Sequence, residues 1–262
     1  MPFLGKLRSK SIPSARARRC ARATLATTLA ALCIADANAG TATGSLALTN
    51  DDVFRGISQT NRKPAVQGSL EYDADSGFYI GTWDGNVSWL SDQSTSTAPV
   101  SSDLEVDLYA GYRHKLGGKV TLDVGALSYI YPGKYPAGFT SPNTTELYAG
   151  VTAGIASLKY SRSTGNLFGF ADSRGSGYVE AAANWEFTPG WTLNVHAGQQ
   201  TIAHHHDYNY TDWRLGVTKA WKNGYSIAVA YAGTDARTSL YTNAFGTKVA
   251  GATGVLALSK SF

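Results

Sequence analysis

Alternation of apolar and polar residues is the main pattern along this chain from residue 40 onward. The clearest case is the stretch 103–114, in which Leu104 and Val106 alternate with Glu105 and Asp107. A period of two residues is typical of a β-strand with one apolar and one polar face. Because the same alternation recurs to the last residue, we expect an all-β protein.

The alternating segments predict twelve strands and a regular set of connections between them. The strands are expected at 40–58, 65–72, 78–89, 103–114, 120–131, 145–155, 158–162, 177–187, 191–201, 210–221, 225–232 and 248–262. The first becomes irregular at Asp51 and Asp52, where we expect a β-bulge. Short turns near 75, 117, 156, 189 and 223 alternate with longer loops near 61, 96, 137, 170, 205 and 240. This asymmetry predicts a transmembrane antiparallel β-barrel of about 12 strands, with short periplasmic turns, longer outer loops and both termini periplasmic.

Charged residues within the predicted strands largely keep to one face. A Lys or Arg that faces lipid at mid-membrane costs about 2–4 kcal/mol, so this face is expected to line the barrel interior. The pore-lining candidates are Arg55, Glu71, Asp84, Glu105, Asp107, Arg113, Asp123, Glu146, Lys159, Glu180, Glu186, Asp212 and Arg214. Nine acidic and four basic side chains give this set a net charge of −5, which favours cations. Glu105 and Asp107 are the best candidates for selectivity, unless Arg113 or Arg214 neutralises them.

Residues 1–39 have the features of a secretory signal peptide, which leaves 40–262 as the barrel domain. A basic segment precedes the short apolar stretch 23–35, and Ala37-Asn38-Ala39 forms an A-x-A cleavage site. A mitochondrial-type transit peptide is the alternative for this arginine-rich leader. Without the leader, 16 basic and 18 acidic residues remain, a net charge of −2. The basic pI therefore gives no reason to expect a nucleic-acid partner.

The rest of the composition also suits an exported barrel. Both cysteines, Cys20 and Cys33, lie in the leader, so residues 40–262 can form no disulfide. No apolar run in that part approaches the 18 residues or so of a transmembrane helix. Six tryptophans fall near predicted strand ends or on the lipid-facing parity, where an interfacial belt is expected: Trp83, Trp89, Trp185, Trp191, Trp213 and Trp221.

The stretch 54–87 resembles a known family. Its matching blocks are Phe54–Thr60, Lys63–Gly68 and Ser76–Trp83, followed by Asn86 and Val87. They are similar to the opening block of the TorF-type porins of proteobacteria, formerly grouped as a conserved family of unknown function. The resemblance implies an outer-membrane β-barrel with a channel role. It supplies no substrate and no catalytic residue.

No motif in residues 40–262 indicates catalysis or a cofactor. His204, His205 and His206 are adjacent, and neighbouring side chains of an extended chain point apart, so we expect a solvated loop rather than a metal site. His196 is the only histidine on the inward parity of its strand, and no serine stands out beside it as a nucleophile. We therefore predict no enzyme activity, no cofactor and no bound metal.

The last strand ends on Phe262 and resembles the signal that hands outer-membrane barrels to their assembly machinery. Expected partners are this machinery, outer-membrane lipids and the solutes that pass. The predicted function is an outer-membrane porin for small polar solutes or ions, weakly preferring cations. The alternative is an outer-membrane barrel without a channel, either a structural or adhesive surface protein or a hydrolase.

Overall fold

The computed structural model describes residues 40–262, and they form fourteen β-strands and two short 3-10 helices. The helices are Ser91–Gln93 and His206–Tyr208. The strands are β1 (Gly40–Thr49), β2 (Val53–Phe54), β3 (Ile57–Ser58), β4 (Ala65–Ala74), β5 (Phe78–Asn86), β6 (Leu104–Gly117), β7 (Val120–Ile130), β8 (Thr144–Ala153), β9 (Ala156–Ser163), β10 (Gly177–Thr188), β11 (Trp191–Thr201), β12 (Tyr210–Ala220), β13 (Tyr225–Thr234) and β14 (Thr253–Ser261).

Twelve of these strands close into one antiparallel barrel, which confirms the predicted fold class and strand number. Each strand pairs with its sequence neighbours, and β1 closes the sheet by pairing with both β4 and β14. The two remaining strands, β2 and β3, pair with each other in a separate two-stranded sheet. Closure removes the exposed sheet edges that would otherwise pair with other chains.

The predicted bulge in the first strand is wrong. β1 ends at Thr49, and the irregular pattern at Asp51 and Asp52 marks the start of a loop that contains the β2–β3 hairpin. The last strand is also shorter than predicted, because β14 begins at Thr253 and residues 235–252 form a loop. Alternation in these segments therefore reflects short local pairings as well as barrel strands.

The outer surface of the barrel is apolar, as the alternation predicts. Leu70, Ile80, Leu108, Val229 and Leu256 are each at least half exposed and lie on the outward parity of five different strands. The leader assigned to residues 1–39 lies outside the described residues. Within residues 40–262, no helix is long and apolar enough to span a membrane.

The barrel has two different ends. We call one the short-turn end, because it carries the turns at 75–77, 118–119, 154–155, 189–190 and 221–224 and the first residue of β1. The other is the long-loop end, which carries the loops 50–64, 87–103, 131–143, 164–176, 202–209 and 235–252. The long loops pack on one another through three apolar clusters, centred on Leu90, Leu167 and Tyr241. They therefore form an ordered cover over this end.

The tryptophans are divided between the surface and the interior. Trp185, Trp191, Trp213 and Trp221 are 40–54% exposed on the outside, where an interfacial belt is expected. Trp83 instead shares the inward face with Gly85, over which its ring lies. Trp89 packs inside the long-loop cover against Tyr131, at a centroid distance of 5.2 Å. These last two do not belong to the belt.

Candidate functional site: the barrel lumen

The β2–β3 hairpin folds into the barrel beneath the long-loop cover. Its base is held where the hydroxyl of Ser58 donates to Asp51 Oδ1 at 2.5 Å. Its outer edge pairs with loop 235–252, because the Ser58 amide donates to the Val249 carbonyl at 2.9 Å. At its tip, a Cβ on Gly56 would collide with Asp212 of β12. The hairpin thus crosses the lumen from β1 toward the opposite wall.

Arg55 fixes the tip of this hairpin to the wall. Its Nη1 and Nη2 donate to the two carboxylate oxygens of Glu146 at 3.0 and 2.7 Å, and Nη1 also donates to Gln200 at 2.9 Å. The guanidinium lies 4.1 Å from the ring centroid of Tyr178. The Arg55 and Glu146 side chains are only 7% and 2% exposed. Such a buried two-point pair gives orientation as well as energy.

Two buried carboxyl groups sit at the base of the hairpin. Burial, followed by the negative charge of Asp51, raises the pKa of Asp52 to about 7. Burial also raises the pKa of Asp51, although hydrogen bonds from Ser58 and Thr60 oppose the shift. The position of the hairpin is therefore coupled to a group that titrates near neutral pH.

Glu105 and Asp107 lie on the inward face of β6, as predicted, but they are buried under the hairpin. They are 5% and 8% exposed, and both are close enough to Asp52 for the charges to repel. Neither Arg113 nor Arg214 neutralises them, because neither guanidinium forms an ion pair with them within the described chain. Asp107 Oδ1 has no hydrogen-bond partner among the described residues, and the residue lines the lumen cavity.

Arg113 gathers three carboxylates near the short-turn end. Its Nη1 donates to Glu71 at 2.7 Å and to Asp73 at 2.6 Å, and its Nε lies 3.9 Å from Asp123. The guanidinium lies 3.7 Å from the ring centroid of Tyr79. Asp73 was not among the pore-lining candidates, because the predicted strand ended at residue 72 whereas β4 continues to Ala74. The correct end of the strand would have placed Asp73 on the same inward face as Glu71.

Tyrosine rings line the same part of the wall, and glycines make room for them. The Tyr79 hydroxyl donates to Asp123 at 2.7 Å and contacts the Tyr148 hydroxyl. A Cβ on Gly111 would collide with the Tyr79 hydroxyl, and one on Gly125 with the Tyr148 hydroxyl. Glycine at these inward positions therefore allows the rings to lie flat on the neighbouring strand.

A second group of polar residues runs along β9 to β12. Lys159 Nζ lies 2.9 Å from Glu180 Oε1. His196 Nε2 lies 3.0 Å from Asp212 Oδ1 and 3.0 Å from the hydroxyl of Tyr178, which itself donates to Asp212 at 2.8 Å. Lys159, Glu180, His196 and Asp212 therefore form a chain of contacts. Tyr178 joins this chain at His196 and Asp212. Among the described residues, the hydrogen-bonding partners of the His196 side chain are the Tyr178 hydroxyl and the Asp212 carboxylate.

Three of the predicted pore-lining residues belong to neither of these two polar groups. Arg214 faces inward between Asp212 and Gly216 and lines the cavity. Glu186 has the inward parity but accepts a hydrogen bond from the Gly190 amide at 2.7 Å, at the short-turn end. The inward assignment of Asp84 is wrong. It shares the outward parity of β5 with Ile80, which is 62% exposed, and it accepts a hydrogen bond from Thr82 at 3.2 Å.

The central cavity of the lumen has a volume of about 560 Å³. The hairpin residues Val53–Gly56 form one side of it. The opposite wall carries Ala228, Ala230 and Ala232, which lie on the inward parity of β13. Volumes of 300–1,000 Å³ or so are usual for sites that take small molecules. The cavity can therefore hold a solute of that class.

Two of the three adjacent histidines tie two long loops together. His204 Nδ1 donates to the Asp172 carbonyl at 2.8 Å, and His205 Nε2 donates to the Ala171 carbonyl at 2.7 Å. Phe170 packs against the His205 ring at 5.3 Å. No group of three or more His, Cys, Asp or Glu residues in the described part of the chain is arranged to hold a metal ion.

Comparison with solved structures finds porins of the same fold. The KdgM porin superposes with a TM-score of 0.53 at 9% identity, covering 84% of this chain and 99% of its own. The KdgM porin in complex with disordered oligogalacturonate gives 0.52 at 8% identity, covering 85% and 99%. The NanC porin gives 0.50 at 10% identity, again covering 85% and 99%. At these identities the likeness shows the barrel fold.

Comparison of the sequence with family models identifies a bacterial family whose description gives no activity. None of the curated proteins matches the chain. The model of one family, described as bacterial protein of unknown function (Gcw_chp), matches residues 35–262. This match covers the whole barrel and most of the chain, so the protein belongs to the Gcw_chp family.

Proposed function

We propose that the protein is an outer-membrane channel that passes small polar solutes or ions through its lumen. The observation that carries the proposal is a closed barrel with an apolar outer surface around a cavity of about 560 Å³ lined by charged and polar side chains. A barrel of 12 strands is wider than the roughly eight-stranded barrels whose interiors are filled by side chains. The resemblance of residues 54–87 to TorF-type porins supports the same function.

The hairpin sets the state of this channel. It crosses the lumen below the long loops, and the Arg55–Glu146 pair holds its tip against the wall. The held hairpin narrows the path, and its release widens it. The working orientation places the long loops outside the cell and the short turns in the periplasm, with Phe262 recognised by the barrel-assembly machinery.

The channel prefers cations weakly. With Asp84 removed and Asp73 added, inward carboxylates still outnumber inward basic side chains. The measurement is the reversal potential across a salt gradient, for the wild type and for the double variant Glu105→Gln plus Asp107→Asn. We expect a cation-selective potential that shrinks in the double variant. An anion-selective wild type would contradict the preference.

Solute flux tests the proposal as a whole. The protein is refolded into liposomes loaded with an impermeant polymer, and swelling is followed in solutions of sugars of increasing size. We expect swelling with small sugars and a cut-off as the size rises. Swelling no faster than in protein-free liposomes, for every solute, would contradict a channel. Folding of the same sample is checked by its altered gel migration before boiling.

A further inference from the structure

Arg214 differs from the other inward-facing cations of the barrel. Arg55 is paired with Glu146, Arg113 with Glu71, and Lys159 with Glu180. Across residues 40–262, Arg214 has neither an ion pair nor a hydrogen bond from its guanidinium. Its charge faces the lumen cavity, and no carboxylate of the described chain forms an ion pair with it.

The carboxylate nearest in sequence is already engaged elsewhere. Asp212 lies two residues before Arg214 on the same face of β12, but its oxygens accept from Tyr178 at 2.8 Å and contact His196 at 3.0 Å. A guanidinium has five N–H donors, and a partly buried one without acceptors loses its hydration without replacement. This arrangement leaves a binding group that an incoming acceptor would satisfy.

The wall around Arg214 leaves room for such an acceptor. Gly216 follows it on the inward face, and its strand partner on β13 is Ala230. Ala228, Ala232 and Ala182 also line this part of the cavity. We name Gly216, Ala182, Ala228, Ala230 and Ala232 the small-residue recess. None of these side chains reaches far enough to cover the guanidinium, so its donors remain accessible from the cavity.

Polar side chains continue the recess toward the short-turn end. The Thr218 hydroxyl donates to Asn194 Oδ1 at 2.8 Å, and Asn194 Nδ2 donates to the side-chain oxygen Oδ1 of Asn184 at 2.7 Å. The amide nitrogen of Asn184 is left as a donor toward the cavity that these residues line. Arg214 and this amide ladder therefore offer charge and hydrogen bonds to one solute.

We propose that Arg214 and the small-residue recess bind the carboxylate group of a small polar solute inside the barrel. The planar guanidinium donates two parallel hydrogen bonds to a carboxylate. A singly charged group suits the site, because a doubly charged phosphate would be repelled more strongly by the carboxylate of Asp212, which lines the same cavity. This inference rests on the proposed channel function. It names small carboxylates as a class of solute that binds in the lumen.

Binding of D-glucuronate to the refolded protein in detergent tests this site, with D-glucose as the uncharged comparator. Calorimetric titration is performed on the wild type, Arg214→Gln, Arg214→Lys and the control Arg162→Gln, whose side chain is exposed on the outer face. We expect Arg214→Gln to bind glucuronate at least tenfold more weakly and Arg162→Gln to match the wild type. Arg214→Lys restores part of the affinity, because an ammonium group lacks the two-point geometry.

Two outcomes would overturn the inference. One is glucuronate affinity that is equal in the wild type and Arg214→Gln, with both proteins shown to be folded by gel migration. The other is no glucuronate binding by the folded wild type. Calorimetry does not require transport, so glucuronate binding through Arg214 without liposome swelling would sustain this site and contradict only the channel.

Discussion

Arg55 and Glu146 form a two-point ion pair inside the barrel, with distances of 3.0 and 2.7 Å, although 91 residues separate them in sequence. The pair joins the tip of the β2–β3 hairpin to β8, across the lumen. Removing one member leaves the other charge buried without a partner, which costs about 3–5 kcal/mol in typical proteins. The pair therefore controls whether the hairpin stays inside the barrel.

Arg55→Ala is expected to release the hairpin without unfolding the barrel. Hydrogen exchange of the segment 50–62 should become faster in detergent-solubilised protein, whereas exchange in the paired strands should not change. Arg174→Ala, which changes an exposed loop arginine, is the matched control. Unchanged exchange of 50–62 in Arg55→Ala would show that the ion pair does not hold the hairpin.

Asp52 makes the hairpin sensitive to pH. Burial and the charge of Asp51 raise its pKa to about 7 in the folded protein, above the ordinary value near 3.8. Its contribution to hairpin stability is thus fully present below pH 4 or so and is lost as the pH rises through about 7. After correction for intrinsic rates, hydrogen exchange of 50–62 should be faster at pH 8 than at pH 5.5.

Asp52→Asn should reduce this pH dependence, because the amide does not ionise. Glu105 and Asp107 face the same group and will keep part of the effect. Asp75→Asn, in an exposed turn at the short-turn end, is the control. If Asp52→Asn keeps the full dependence of the wild type, the assignment to Asp52 is wrong.

Glycines beneath the inward tyrosines are expected to be essential for stability. A Cβ at Gly125 would meet the Tyr148 hydroxyl and would lie 2.6 Å from the Ala110 carbonyl oxygen. Gly125→Ala should therefore destabilise the barrel by about 1–3 kcal/mol through overpacking. The urea midpoint of unfolding, read from gel migration without boiling, measures the change.

Gly165 provides a matched control for this prediction. A Cβ there meets nothing within 4 Å, so Gly165→Ala should leave the urea midpoint close to that of the wild type. Equal midpoints for Gly125→Ala and the wild type would show that the tyrosine rings can move aside. The glycine would then have no packing role.

Phe262 is proposed to carry the assembly signal. Its ring is 70% exposed, while its amide donates to the Gly44 carbonyl at 3.0 Å. Phe262→Ala keeps this backbone pairing and removes only the ring, so the yield of folded barrel in cells should fall. A variant with alanine at positions 204–206 should assemble normally. Equal yields for the two variants would count against the signal.

Sequence patterns predicted the barrel well because lipid and lumen impose opposite demands on alternate residues. The strand number and most inward positions follow from that alternation. It failed at Asp84, where a charge is tolerated on the outward face close to the end of β5. Polar character alone was a poor guide there.

These patterns could not predict contacts between segments that are far apart in the sequence. β2 and β3 are two residues each, too short for a periodic signal. Arg55 was assigned to the lumen, but nothing in its neighbourhood in the sequence indicates Glu146 or Gln200 as partners. Arg214 appeared equivalent to Arg113 in sequence, and only the strand arrangement shows that one is paired and the other is not.

Single-channel recording in planar bilayers tests the channel most directly. Wild type, Arg55→Ala and Arg174→Ala are compared in the same salt solution after folding has been verified by gel migration. The proposed mechanism predicts discrete current steps for the wild type, steps of the same size for Arg174→Ala, and larger steps for Arg55→Ala. Folded protein that gives no current steps, in the wild type and in Arg55→Ala alike, would contradict a channel.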